Sequence, residues 1–310
     1  MSRRLLLLNL FLRHCVRPVL ARTVDVARAR REFKRVSGMF RVPPYVLHLV
    51  EMGKVPLHWI SVRRRRTDWV ILYLHGGGYV AGSPLTHKGL AGRVAKLTQL
   101  QVVLPDYRLA PEHPAPAAFE DACWTHGQLL AKGYEANRII LAGDSAGGGL
   151  ALALMADLCA RDSAPAGLFA FSPWTDLAMT GPSLQSNSKR DSVLPSPRMP
   201  DVIDLILGEL DPRDPRISPL YADFDRPPPV LIQVGQEEIL LDDSQRMGAA
   251  LRRVGGEAMV AEWPGCPHVW HLLDGYLPEA RRALEDVAAF VLQVVDRANL
   301  NALSQQQGDS

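Results

Sequence analysis

The sequence has few cysteines, almost no net charge and no apolar run long enough to cross a bilayer. Its 4 cysteines are scattered among 310 residues, with no Cys-x-x-Cys pair and no histidines at zinc-binding spacing. This argues against a disulfide framework or a metal site and favours free thiols in a reducing compartment. The 35 basic and 33 acidic residues leave a formal charge of +2, which argues against a nucleic-acid surface. We therefore expect a cytoplasmic protein with no nucleic-acid partner.

The N-terminal segment imitates a signal peptide but lacks its essential parts. The apolar residues 5–12 are followed by Arg13, His14 and Arg17, and no clear small-residue cleavage site comes after them. The run is also far shorter than the ~20 apolar residues that span a bilayer. We interpret the segment as a basic amphipathic helix, and we expect it to pack over the protein's own functional site rather than to associate with a membrane.

Short apolar runs alternate with helical segments along most of the chain. The runs, each bounded by Gly, Pro or Asp, are residues 69–74, 101–104, 139–142, 167–171, 230–234 and 258–261. The helical segments are residues 85–97, 117–132, 148–159, 242–254 and 278–295. Strands that are apolar throughout are buried on both faces, so the pattern predicts an α/β fold with a mostly parallel central sheet flanked by helices. Ligands of such sheets bind at the carboxyl ends of the strands.

Two segments depart from this alternation. Residues 1–50 have helical periodicity and many arginines, and residues 180–216 are rich in Pro, Ser and Arg around a short apolar run. We predict that residues 1–50 form N-terminal cap helices and that residues 180–216 form a cap insertion. The domain beneath them is predicted to comprise residues 51–179 and 217–300, and the polar residues 301–310 to be a frayed tail.

The apolar run at residues 139–142 leads into Gly143-Asp144-Ser145-Ala146-Gly147, after which a helical segment begins. A Gly-x-Ser-x-Gly motif between a strand and a helix presents the serine hydroxyl at the apex of a sharp turn. A Cβ on either flanking glycine would collide with neighbouring backbone. Ser145 is therefore the candidate nucleophile, and Asp144 is predicted to orient the turn. The alternative is an ordinary turn built of small residues.

A serine nucleophile needs a base and an orienting carboxylate, and two later loops supply them. Candidate bases after residues 258–261 are His268 and His271, and candidate acids after residues 230–234 are Glu237, Glu238 and Asp242. Both loops follow strands at the edge where Ser145 must emerge. The chain order of serine, acid and histidine is typical of α/β-hydrolases. Asp242 also stands where it could N-cap the following helix.

Three glycines follow the first predicted strand, in His75-Gly76-Gly77-Gly78. Without side chains, their backbone N–H groups can approach a carbonyl oxygen. We predict an oxyanion hole formed by the N–H groups of Gly76, Gly77 and Ala146, with Gly78 and His75 as alternative or supporting residues. A phosphate loop or a plain turn is the alternative for this motif alone.

Together these motifs resemble the hormone-sensitive-lipase family of α/β-hydrolase carboxylesterases, also called bacterial family IV. Residues 106–112, 172–177 and 211–215 match further blocks, and the resemblance extends over roughly residues 20 to 295. It implies a cap built from N-terminal helices and an insertion. It also implies that His268 rather than His271 is the catalytic base, and it aligns Glu238 with the acid, which is usually an aspartate. Asp242 and Glu237 remain the alternatives for the acid.

The motifs thus predict a serine carboxylesterase that acts on small-molecule esters, and the resemblance implies that these esters carry short- to medium-chain acyl groups. Ser145, His268 and Glu238 would act through an acyl-enzyme, with no metal and no cofactor. The alternatives are an amidase or lactonase on the same residues, and a non-catalytic ligand-binding protein of the same fold. The resemblance also allows a homodimer. Because the histidine must be neutral to act as a base, activity should fall as the pH drops through about 6.5.

Overall fold

The computed structural model describes the backbone of residues 2–308 and the side chains of residues 2–300. Its strands are β1 Val46–Glu51, β2 Leu57–Val62, β3 Arg66–Leu74, β4 Leu100–Pro105, β5 Ile139–Asp144, β6 Gly167–Phe171, β7 Val230–Gly235 and β8 Ala258–Trp263. They form one eight-stranded sheet in the order β1-β2-β4-β3-β5-β6-β7-β8. The six predicted strands are β3 to β8, and they pair in parallel. The predicted α/β class is confirmed.

Strands β1 and β2 were not predicted. They pair with each other antiparallel, and β2 joins β4 antiparallel, so that β1 forms one edge of the sheet. Side chains of β1 are half-buried or exposed rather than continuously buried, because an edge strand is covered less than a central one. The predicted boundary of the cap helices at residue 50 therefore falls inside a strand, and the N-terminal helices end at Ser37.

The helices are α1 Arg3–Phe11, α2 Arg17–Arg22, α3 Val26–Ser37, α4 Lys88–Thr98, α5 Ala117–Ala131, α6 Ala146–Ala160, α7 Ser183–Ser186, α8 Met199–Leu207, α9 Leu241–Arg253 and α10 Pro278–Gly308. The five predicted helices correspond to α4, α5, α6, α9 and α10. Helix α10 continues through residues 301–308, part of the segment predicted to be a frayed tail. Fraying stays a prediction, and residues 309 and 310 lie outside the described residues.

Alternating side chains of the central strands build two cores, one on each face of the sheet. Val70 and Leu72 of β3 pack with α6, whereas Ile71 and Tyr73 pack on the opposite face with α4 and α10. All four are fully buried. Each such large apolar side chain contributes roughly 1.5–3 kcal/mol on burial, so both layers of helices are firmly attached to the sheet. The loops at the strand ends are thereby held on a rigid scaffold.

Residues 180–216 lie outside the sheet. They contain α7 and α8, and no strand occurs in this described segment. The backbone N–H of Ala115 donates to the carbonyl of Ile206 on α8 at 2.8 Å, and a Cβ added to Gly78 would lie 3.7 Å from Cγ1 of Val202 on the same helix. Helix α8 therefore lies against the glycine-rich loop that follows β3. Within residues 2–308, no helix is both long enough and apolar enough to cross a membrane.

Candidate active site

Ser145 lies at the apex of the turn between β5 and α6, in a strained backbone conformation with φ 53° and ψ −124°. Non-glycine residues rarely occupy this region, and its cost must be offset by surrounding contacts. The N–H of Ser145 donates to Phe171 O at 2.8 Å, and its carbonyl accepts from Trp174 N at 2.9 Å. Both partners belong to β6 and the loop that follows it. The neighbouring strand therefore holds the serine in its strained conformation.

The two glycines around this turn have the predicted steric role. A Cβ on Gly147 would overlap the carbonyl oxygens of Leu74 and His75, and one on Gly143 would overlap the carbonyl of Gly147. These obstacles are backbone atoms, which cannot rotate away as a side chain can. The close approach also packs the turn directly against the His75–Gly78 loop.

Replacing Gly147 with alanine should therefore destabilise the protein by about 3 kcal/mol, because the added methyl overpacks against rigid backbone. Gly127→Ala is the matched control, since Gly127 also lies within a helix but an added Cβ there meets no atom within 4 Å. It should stabilise the fold by about 0.5–1 kcal/mol, because alanine loses less backbone entropy on folding. Urea denaturation of both variants measures the difference. Equal stability of Gly147→Ala and the wild type would contradict this packing.

The side chains of Ser145, His268 and Glu238 form a continuous chain of contacts. Nε2 of His268 lies 2.9 Å from Oγ of Ser145, and Nδ1 of the same ring lies 2.7 Å from Oε2 of Glu238. A neutral imidazole that donates Nδ1–H to the carboxylate has its Nε2 lone pair available for the serine proton. This is the spacing that transfer of a proton from Ser145 to His268 requires.

Glu238 is buried and its second carboxylate oxygen is held by two donors. Oε1 accepts hydrogen bonds from Gly235 N at 2.6 Å and from Ser172 Oγ at 2.7 Å. The remaining candidate acids contact other residues. The carboxylate of Asp242 accepts a hydrogen bond from the backbone N–H of Ser183, and half-buried Glu237 lies 3.5 Å from Arg190.

The predicted N-capping role of Asp242 is wrong. Helix α9 begins at Leu241, so Asp242 lies in its first turn, and the N-cap residue Leu240 makes no side-chain capping bond. The Asp242 carboxylate instead attaches the helix to the 180–216 segment through Ser183. The physical reason is that the N–H of Ser183, which belongs to a distant segment, donates to the carboxylate in place of the N–H groups of the helix itself.

The 180–216 segment fixes the backbone of the loop that carries Glu238. Nδ2 of Asn187 donates to the carbonyl of Glu238 at 2.9 Å, and buried Asp191 accepts from Ile239 N at 2.9 Å. Oγ of Ser183 donates to the carbonyl of Ile239 at 2.7 Å. These three contacts place the carboxylate of Glu238 relative to His268 through residues that sequence reasoning did not identify.

His268 is half-buried, and its side chain lies beside carboxylates. Burial alone would lower its pKa, but the hydrogen bond and negative charge of Glu238, together with the charges of Asp191 and Asp144, raise the pKa of His268 above its usual value. His271 belongs to the same loop, but its pKa is shifted in the opposite direction. Its Nε2 contacts Oε1 of Gln233 at 2.8 Å, and burial lowers its pKa well below the usual value. His271 therefore remains neutral and belongs to the buried packing around the loop.

The glycine-rich loop differs from the prediction at one position. The N–H of Gly76 donates to Oδ1 of Asp144 at 3.0 Å, which conflicts with its predicted role as an oxyanion donor. Among the hydrogen bonds of residues 2–308, none uses the N–H of Gly77, Gly78 or Ala146. These three amides remain available for a substrate oxygen.

Asp144 links the serine turn to this loop. Besides Gly76 N, its carboxylate accepts from Tyr73 Oη at 2.8 Å and lies 3.3 Å from Nε2 of His87. Burial opposes ionisation, but the charge and hydrogen bond of His87 and the hydrogen bond of Tyr73 hold the pKa of Asp144 below its usual value. The contacts of Asp144 thus join the serine turn to the glycine-rich loop, and its role in orienting the turn stays a prediction.

His75 supports the loop from within. Its ring stacks on Tyr107 with centroids 4.2 Å apart, and Oη of Tyr107 donates to the His75 carbonyl at 2.6 Å. Burial and nearby His87 lower the pKa of His75 to about 3, so the ring is neutral at ordinary pH. Arg30 of α3 donates to the carbonyls of Val80 and Ala110, both at 2.8 Å, and thus attaches the N-terminal helices to the same region.

Comparisons with known proteins identify the family of the chain. Residues 71–272 match a family model described as the alpha/beta hydrolase fold. The chain is 39% identical over 274 residues to an acetyl-hydrolase of Streptomyces hygroscopicus, covering 87% of this chain and 88% of the relative. It is 39% identical over 223 residues to an esterase of Acinetobacter venetianus, covering 71% and 74% of the two chains.

A solved structure extends the comparison to the whole fold. The crystal structure of an esterase from the bacterial hormone-sensitive-lipase family matches with a TM-score of 0.89 and 36% identity, covering 95% of this chain and 99% of that one. Identity at this level over nearly the full length exceeds what a shared fold alone would require. The chain belongs to the bacterial hormone-sensitive-lipase family of the α/β-hydrolase fold and is a carboxylic ester hydrolase.

Proposed function

We propose that the protein is a serine carboxylesterase in which Ser145, His268 and Glu238 form the catalytic triad. The observation that carries this proposal is the pair of contacts on His268, 2.9 Å to Ser145 Oγ and 2.7 Å to Glu238 Oε2. The burial of the Glu238 side chain supports it further, because a partner charge excluded from water interacts strongly with the imidazolium. The engagement of Asp242 by Ser183 argues against Asp242 as the acid.

In this mechanism, Oγ of Ser145 attacks the ester carbonyl while its proton moves to Nε2 of His268. The tetrahedral intermediate collapses, and the same proton passes to the leaving alcohol, which gives an acyl-enzyme and free alcohol. Water then attacks the acyl group, with His268 again accepting a proton, and the carboxylic acid is released. Glu238 holds the imidazole and stabilises its protonated form.

We propose that Gly77, Gly78 and Ala146 donate the N–H groups of the oxyanion hole. Their amides have no partner among the described residues, whereas Asp144 engages that of Gly76. The packing of Gly147 against the carbonyls of Leu74 and His75 brings the glycine loop next to the serine turn. Each donor would contribute roughly 3–4 kcal/mol to stabilisation of the transition state.

The raised pKa of His268 predicts where activity is lost at low pH. The imidazole acts as a base only when neutral, so kcat/KM should fall as the pH drops through the pKa of His268, at a pH above the usual histidine value of about 6.5. Glu238→Gln removes the nearest negative charge and should move this limb to lower pH. Initial rates on a water-soluble ester, with stability checked at each pH, measure both profiles. A flat wild-type profile from about pH 5 to 8 would argue against His268 as the base.

We propose short- to medium-chain acyl esters of small molecules as substrates, with residues 180–216 and the N-terminal helices forming the cap. The contact of α8 with the glycine loop supports this position for the cap, and a relative named acetyl-hydrolase supports a short acyl group. No step of this mechanism calls for a cofactor. The sequence-based expectations of a cytoplasmic location and of a homodimer remain proposals.

Hydrolysis of p-nitrophenyl esters from acetate to palmitate tests the substrate class, with a p-nitroanilide and a lactone measured beside them. We expect the highest kcat/KM at short acyl chains and much slower turnover of the anilide and lactone. Faster anilide or lactone turnover would favour the amidase or lactonase alternative. Failure to hydrolyse any of these compounds would favour a ligand-binding protein of the same fold.

A further inference from the structure

Residues 3–22 form one continuous helical stretch, made of α1, a π-helical segment at Leu12–Val16, and α2. One side of this N-terminal stretch packs on the protein. Leu5 is fully buried in a cluster with Cys266 and Trp270, and Nδ2 of Asn9 donates to the carbonyl of Gly265 at 2.7 Å. Its inner side therefore rests on the loop that carries His268.

The outer side of the same stretch exposes large apolar side chains to solvent. The exposed fractions are Leu6 47%, Leu7 68%, Leu10 56%, Phe11 53%, Val19 42% and Leu20 39%. Leu10 follows Leu7 by three residues and Leu6 by four, which places it beside both on one helix face. Single exposed apolar residues are ordinary, but a clustered set of this kind marks an interaction surface.

Positive charge is concentrated in the same part of the chain. Residues 1–41 contain ten arginines and one lysine against one aspartate and one glutamate, a formal charge of +9, whereas the whole chain carries +2. Arg3, Arg4, Arg13 and Arg22 are exposed on the helical stretch itself. Arg3 precedes Leu6, Leu7 and Leu10 on the same helix face, so the exposed apolar side chains lie among cations.

We propose that the outer face of residues 3–22 binds the surface of an anionic lipid bilayer. Leucine and phenylalanine side chains beside arginines match the acyl–headgroup boundary, where apolar groups insert and cations meet lipid phosphates. A second copy of the chain fits this face poorly, because a two-fold contact would place one +9 segment against another. The sequence analysis favoured packing of this segment on the protein itself over association with a membrane. In the structure, only the inner side of the stretch packs on the protein.

This assignment places the loop that carries His268 directly beneath the membrane-facing helix. Membrane binding does not depend on the proposed catalytic triad, because no triad residue belongs to residues 3–22. Ser145→Ala should therefore bind vesicles as the wild type does. Binding and catalysis can therefore fail separately in experiments.

Co-sedimentation of the full chain with vesicles tests the proposal. We expect binding to vesicles of phosphatidylcholine mixed with phosphatidylglycerol, weaker binding to phosphatidylcholine alone, and loss of binding as salt is raised. Leu7→Ser should lower the partition coefficient about tenfold, because one large apolar side chain no longer inserts. Leu49→Ser is the matched control, since Leu49 of β1 is 69% exposed outside the N-terminal stretch.

A second pair of variants tests whether the positive charge of the N-terminal stretch contributes to membrane binding. Arg3→Glu with Arg22→Glu should weaken binding about thirtyfold or more, because each arginine near an anionic surface contributes about 1 kcal/mol. Arg63→Glu with Arg64→Glu makes the same change of net charge in the exposed turn between β2 and β3 and should alter binding far less. Thermal unfolding and hydrolysis of a soluble ester confirm that all variants are folded.

Three results would overturn the proposal. One is an absence of binding to anionic vesicles. Another is equal loss of binding in the N-terminal variants and their matched controls. The third is a dimer in sedimentation equilibrium that Leu7→Ser dissociates, which would assign the face to a second copy of the chain.

Discussion

Replacing Ser145 with alanine should lower kcat on a soluble ester by about five to six orders of magnitude, because no other hydroxyl occupies the apex of the turn. His268→Ala should cost about as much. The two residues act as one unit across their 2.9 Å contact, so the double variant should be no slower than either single variant. Initial rates at saturating substrate measure all three proteins.

Additivity is the result that would contradict this account. If the double variant lost the product of the two single losses, Ser145 and His268 would act independently, and proton transfer between them would not be the catalytic step. Gly127→Ala serves as the folded reference protein, because it changes an exposed helix position at which an added Cβ meets no atom within 4 Å.

Replacing Glu238 with glutamine should lower kcat by about three to four orders of magnitude. The amide retains the shape of the side chain but loses the charge that stabilises protonated His268, and its NH₂ group can hold the ring in the wrong tautomer. KM should change little, because Glu238 contacts His268 and the loop rather than the expected position of the acyl group. Steady-state kinetics separate the two parameters.

Asp242→Asn and Glu237→Gln are the matched controls for this prediction. Both remove a carboxylate from the same loop region, yet Asp242 contacts Ser183 and Glu237 faces Arg190. Asp242→Asn should cost about 1–2 kcal/mol of stability through its weakened hydrogen bond, and Glu237→Gln close to nothing. Should Asp242→Asn lose activity while Glu238→Gln keeps it, the acid would be assigned to Asp242.

The sequence predicted the parts of this molecule that depend on local pattern. Strands β3 to β8 were identifiable because burial on both faces makes them continuously apolar, and the Gly-x-Ser-x-Gly turn was identifiable from the strand and helix that flank it. Strand β1 could not be identified in this way. Its residues Leu47 and Leu49 are exposed at the sheet edge, and His48 between them interrupts the apolar run. Edge strands carry a weaker apolar signal for this physical reason.

Contacts between distant segments account for the remaining differences. Gly76 was expected to face the substrate, but its N–H donates to Asp144, which is 68 residues away. Asp242 was expected to cap its own helix, but it accepts from Ser183, which is 59 residues away. The Gly76 N–H and the Asp242 carboxylate could each form more than one hydrogen bond. Tertiary packing decides which bond forms, and the local sequence pattern does not contain that information.

The most direct test of the central claim is to locate the residue that becomes covalently modified. The protein is treated with a fluorophosphonate, which reacts with an activated serine, and the adduct is mapped by mass spectrometry of its peptides. We predict one adduct on Ser145 in the wild type, absent from Ser145→Ala and formed far more slowly in His268→Ala. An adduct on a different residue, or equal labelling of the wild type and His268→Ala, would contradict the proposed nucleophile and its activation.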